Sequence, residues 1–140
     1  GLHVPERDKA VANVGSNQQL LIEGVRKLLE LSTGIQLLDG HFALRSTAGK
    51  IECITVSVFE QLGIQHVVCI RDAPSSILAR LAQRDGYGGS LEEVTALQEA
   101  ELQHAHVVAE HLDVQLHVMS AFDAASLELL LRRVLVEHGT

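Results

Sequence analysis

An α/β fold, a parallel sheet with helices on both faces, is the class this sequence predicts. Short runs such as 65–70 are apolar at consecutive positions, as strands covered on both sides must be. Helical-length segments separate these runs, and Gly, Pro and capping residues punctuate the boundaries. At 140 residues the chain suffices for one core, so residues 1–140 are read as a single α/β domain.

From Asn13 to Glu30 the positions Leu21, Val25 and Leu28, flanked by Ile22 and Leu29, recur at helical spacing, and Gly34 ends the helix. Ile35-Gln36-Leu37-Leu38-Asp39 is too brief for a helix and reads as a buried strand with a carboxylate at its end. His41–Arg45 and Ile51–Thr55 are half-apolar segments around a turn-rich stretch, giving a hairpin or a long loop. A short helix over Ser57–Leu62 stops at Gly63, before the strand 65–70. Pro74 opens a helix that runs through Ile77, Leu78 and Leu81 to Arg84, because its missing N–H costs nothing in a first turn. Ser90 and Glu93 form a capping box for the longest helix, running to about His111. Val114–Val118 is another strand, and Asp123 or Ser126 caps a last helix carrying Leu127, Leu130, Leu131 and Val134.

Composition narrows the function. Eleven Lys and Arg against eighteen Asp and Glu leave a net charge of −7, the wrong sign for binding nucleic acid. One Tyr, three Phe and no Trp offer few surfaces for stacking bases. No apolar run reaches the roughly 20 residues of a membrane span, and the opening residues resemble neither signal nor transit peptide. A cytoplasmic protein without a membrane partner is expected, with Cys53 and Cys69, sixteen apart, reduced and buried. His104, His106 and His111 share a helix but lack the companion ligands of a metallohydrolase, and are read as solvated or packed.

Two constellations carry chemistry. Leu37-Leu38-Asp39-Gly40-His41 ends a strand in a carboxylate followed by a glycine, which suits the water shell of Mg²⁺ but also suits an Asp capping a turn. Arg80 and Arg84, four apart, place two guanidinium groups on one helical face beside a glycine-rich loop. Such a pair suits phosphoryl recognition, and equally the C-terminal end of a helix dipole.

In order, these elements resemble a P-loop kinase of the adenylate kinase type, closest to its archaeal and nuclear branch, over Asn13–Val136. Asp39-Gly40-His41 matches the family's strand-end triplet. Leu78 to Arg84 matches its arginine-rich lid helix, and Arg84-Asp85-Gly86-Tyr87 its lid turn. The glutamates 92, 93, 99 and 101 match the helix that follows. The resemblance implies ATP and Mg²⁺ as cofactors, with Asp39 holding the metal through water. It implies Arg80 and Arg84 as catalytic lid residues over about 80–90, with Tyr87 beside the nucleotide. Gly40, His41 and Arg45 would face a nucleotide or other small-molecule acceptor.

The chain departs from that family where the phosphate loop belongs. Ser46-Thr47-Ala48-Gly49-Lys50-Ile51 has Leu44 where the first glycine should be and Ile51 where the metal-binding hydroxyl should be. A kinase-like core lacking its first strand is therefore expected, with ATP and Mg²⁺ bound productively only by a chain that has the phosphate loop. The other reading is a catalytically silent P-loop-like domain that serves as a protein-interaction module. In the family the first strand lies between those ending at Asp39 and Ile70. Its loss would open a slot filled by an upstream strand, by a second copy, or by closure of the flanking strands.

Overall fold

The computed structural model describes residues 10–11, 14–31, 34–86 and 88–137. The chain runs β1 (Ala10–Val11), α1 (Val14–Leu31), β2 (Ala43–Ser46), β3 (Ile51–Cys53), α2 (Val56–Leu62), β4 (His66–Arg71), α3 (Pro74–Asp85), α4 (Leu91–Leu112), β5 (Gln115–Ser120) and α5 (Ala124–Glu137). It is a mixed α/β fold with two small sheets. In one, β1 pairs parallel with β2, and β2 pairs antiparallel with β3. In the other, β4 and β5 pair parallel over six positions, from His66 opposite Gln115 to Arg71 opposite Ser120.

Local chemistry sets the boundaries. Gly63 and Gly86 end α2 and α3 in the left-handed region, at φ 69° and 66°, where a Cβ would be strained. Ser90 Oγ accepts the Glu93 N–H at 3.1 Å to start α4, and Asp123 Oδ1 accepts the Ser126 N–H at 3.2 Å to start α5. Asp123, not Ser126, is therefore the cap.

The core has two parts that meet. Ile22 and Val25 of α1 pack with Ile54 and with Val58 and Leu62 of α2. Val67 and Cys69 of β4 pack with Ala105, Val108 and Ala109 of α4. Phe59 and Ile64 touch both groups, and Phe42 stacks on Phe59 with centroids 5.4 Å apart. On β4 the odd positions face α4, so His66 and Val68 point to the other side, where His66 meets Glu137 of α5.

Four expectations are corrected. Ile35–Gly40 is irregular instead of a buried strand, and Leu37 is 71% exposed. A lone extended segment gains no ladder hydrogen bonds, so nothing offsets the entropy of holding it straight. For the same reason the single parallel sheet becomes two sheets, and the flanking strands do not close on each other. Among the described residues β4 pairs with β5 alone. The stripe of α1 is narrower than its pattern: Ile22 and Val25 are buried, whereas Leu28 and Leu29 stay exposed. Cys53 is exposed, since β3 is an edge strand with one partner, whereas Cys69 is buried.

Ile22 is 1% exposed, so Ile22→Ala should destabilise by about 2–5 kcal/mol. Leu37→Ala should stay within about 0.5 kcal/mol. Urea unfolding checks both, and a Leu37→Ala loss as large as that of Ile22→Ala would restore 35–39 to the core.

Candidate functional site

At the carboxyl ends of β4 and β5 lies an open cleft of about 470 Å³, lined by Arg71 to Pro74, Gln98, Glu99 and Val118 to Ser120. Parallel strands feeding helices leave such a cleft, because both chains turn away from the sheet at the same end. The Ala121 N–H donates to the Arg71 carbonyl at 2.7 Å, which continues the ladder one step past β5 and ties the two lips.

Charged groups line it in matched pairs. Arg71 Nη2 donates to Glu99 Oε1 at 2.7 Å, and the Asp72 N–H donates to Gln98 Oε1 at 3.0 Å. Arg80, two turns into α3, donates from Nη1 to Asp72 Oδ2 at 2.7 Å, while the other Asp72 oxygen accepts the Ala73 N–H at 2.8 Å. The hydrogen bond from Arg80, helped by the Ala73 N–H and by the guanidinium charge, holds the Asp72 carboxyl below its ordinary 3.8. Arg80 also lies over the Phe122 ring, 5.4 Å from its centroid. Phe122 is 86% exposed at φ 65°, a left-handed conformation that bulky residues rarely adopt. Burial, then the Glu101 charge, push the Cys69 thiol up, and Arg71 opposes them.

The other expected site residues join this region unequally. His41 Nδ1 pairs with Glu101 Oε1 at 2.8 Å, one helical turn from Gln98. Asp39-Gly40-His41 thus ends against the stretch of α4 that receives the end of β4. Asp39 and Gly40 are solvent-exposed. Arg45 is committed elsewhere: it donates from Nη1 to the Gly49 carbonyl and from Nη2 to the Glu93 carbonyl, each at 3.0 Å. Those bonds brace the hairpin on α4. Arg84 lies one turn beyond Arg80 on exposed α3, and Tyr87 lies outside the described residues. His104 packs as a half-buried side chain on the Ile54 carbonyl, and His111 pairs with Glu60.

No family model matches the chain, and no curated protein matches it significantly. Gln98, which lines the cleft, and Phe122, which lies under Arg80 beside it, are residues that the sequence reading missed. The capping box at Ser90 fixes the register of α4 and would have placed Gln98, whereas nothing in the sequence marks Phe122. Among the described residues no helix is long and apolar enough to cross a membrane, and no group of three or more His, Cys, Asp or Glu stands ready to hold a metal ion. One exposed carboxylate such as Asp39 still fits Mg²⁺, which keeps most of its water and takes few protein ligands.

Because the Asp72 carboxyl is held low, its pairing is present above its ordinary value and is lost as pH falls through the lowered one. Carboxyl NMR titration should place Asp72 below 3.8, and Arg80→Met should move it upward. An Asp72 titration indifferent to Arg80→Met would mean the pair does not persist in solution.

Proposed function

We propose that this chain is a nucleotide-binding, kinase-like domain whose ligand occupies the cleft at the carboxyl ends of β4 and β5. The observation that carries the reading is the convergence on α4 of three features expected of that class. Asp39-Gly40-His41 arrives through Glu101 and the end of β4 through Gln98 and Glu99, while the arginine helix α3 is tied by Arg80 to Asp72, whose N–H donates to Gln98. A P-loop-like arrangement, with a parallel strand pair between helices, belongs to this proposal. It rests on the parallel β4–β5 pair, with α4 on one face and α5 on the other.

Each part has a role in that reading. The guanidinium groups of Arg71 and Arg80 offer forked donors for phosphate, which would take over the places of Glu99 and Asp72. The Arg80–Phe122 pair presents a flat surface on which a purine can stack. Asp39 would hold Mg²⁺ through water, a charge that offsets the phosphates when bound. Arg84, one turn on, would close over the nucleotide, and His41 with Gly40 would border the acceptor. Arg45 acts here as a brace for that segment, since both ends of its fork are engaged. Phosphoryl transfer from ATP to a nucleotide or another small molecule is the reaction proposed. These residues contain no phosphate loop, so turnover by them alone is expected to be negligible.

A second reading, a silent interaction module, draws on the exposed leucines 28 and 31 of α1 and on the edge of β4 that has no strand partner among the described residues, which would pair with a second copy or a partner.

Mg·ATP at millimolar concentration should shift the NMR amides of Arg71, Asp72 and Ser120 to Phe122, with affinity weaker than micromolar. Phe122→Gly should keep the fold, because relief of a left-handed residue, about 1–2 kcal/mol, offsets the entropy of glycine. It should also lower that affinity several-fold. Shifts confined to α1, or no shifts at saturating Mg·ATP, would favour the interaction module.

A further inference from the structure

Two histidines lie beside α5, one at the start of β4 and one midway along β5. His66 of β4 and His117 of β5 are diagonal neighbours on the face turned away from α4, with ring centroids 6.2 Å apart. His66 Nδ1 and His117 Nε2 are buried and have no hydrogen-bond partner among the described residues. The charged groups that face His117 are His66 from β4 and Arg133 and Glu137 from α5. Glu137 Oε2 lies 3.7 Å from His66 Nε2. Leu130 and Val134 hold the same helix in place by burial.

We propose that this pair makes α5 an acid-released element: protonation of His66 and His117 loosens the C-terminal half of the helix while the rest of the fold stays closed. The neutral rings tolerate their setting, since a bare ring nitrogen is an acceptor without charge. A proton on each ring creates two cations 6.2 Å apart beside the Arg133 guanidinium. Among the described residues, Glu137 is the carboxylate that faces His117 and lies beside His66, and it compensates one charge, not three. Water solvates the excess most readily if the last turns of α5 lift away, because Leu130 and Val134 are the buried side chains that anchor that helix.

The titration direction agrees with this geometry. Burial first, then the charges of His66 and Arg133, hold the His117 imidazole below its ordinary 6.5, with Glu137 opposing them. A histidine lowered in the folded state costs nothing above 6.5. As pH falls below that value the open state takes up the proton first, and stability drains toward the lowered value. The device does not depend on the nucleotide reading. It bears on the cleft all the same, since β5 carries both His117 and Ser120, and α5 begins two residues after Phe122.

Hydrogen exchange read by mass spectrometry at about pH 7.5 and about pH 5.5, corrected for intrinsic rates, tests the proposal. In the wild type α5 peptides should lose about tenfold protection at the lower pH, while α4 peptides keep theirs. His117→Phe, which fills the site and cannot titrate, should remove most of that loss, and His66→Gln should reduce it. The α4 peptides report whether each variant is folded. Imidazole NMR on the wild type gives a second readout: His117 should titrate below 6.5. Its titration should move upward in His66→Gln. Protection of α5 that is equal at both pH values, a loss shared equally by α4, or a loss undiminished in both variants would overturn the proposal.

Discussion

Everything in this molecule leans on α4. Ala105 and Val108 are fully buried on it, and the small side chain of Ala105 lets β4 approach closely. Helix α4 packs against both sheets and against α2 and α3, and polar contacts repeat the pattern. Arg45 reaches the Glu93 carbonyl, His41 pairs with Glu101, His104 with the Ile54 carbonyl, and His111 with Glu60. Among the described residues the two sheets share no ladder, so the halves of the core are joined by α4, which packs on both sheets, together with Phe59 and Ile64, which touch both groups.

The same helix builds the cleft. Its first turns supply Gln98 and Glu99 to the ends of β4, and these neutralise or satisfy groups that would otherwise face solvent unpaired. The balance of charge there is close. Arg71 and Arg80 each have a carboxylate, so under the proposed function a phosphate would have to displace an existing partner, and its affinity would depend on how well those carboxylates are solvated afterwards. Under that proposal the Phe122 ring would add stacking that no charge exchange supplies.

Helices were far more legible in the sequence than sheets. Pro74, Gly63, Gly86 and the Ser90–Glu93 box are local signals, and each stands at a helix end where its backbone chemistry requires it. Strand 66–71 was legible because its apolar run has a partner in 115–120. Ile35–Asp39 carries the same kind of run and forms no strand, since pairing is a property of the neighbour and not of the segment. Within the site, strand-end residues Arg71, Asp72 and Ser120 could be placed from the α/β pattern, and Arg80 from helical spacing. Arg45 could not: its donors are used up by two carbonyls, one of them 48 positions away, and no local pattern encodes that. Nor did any sequence feature mark the buried faces of His66 and His117.

Native-state hydrogen exchange on Ala105→Leu, against the wild type, tests the role of α4 most directly. An extra branched side chain at a fully buried site should cost about 1–3 kcal/mol. If α4 joins the two halves, the most protected amides of α2 and those of β4 and β5 should fall together by the same amount. A loss confined to β4 and β5, with α2 unchanged, would mean that the halves are stable independently and that α4 is not their common support.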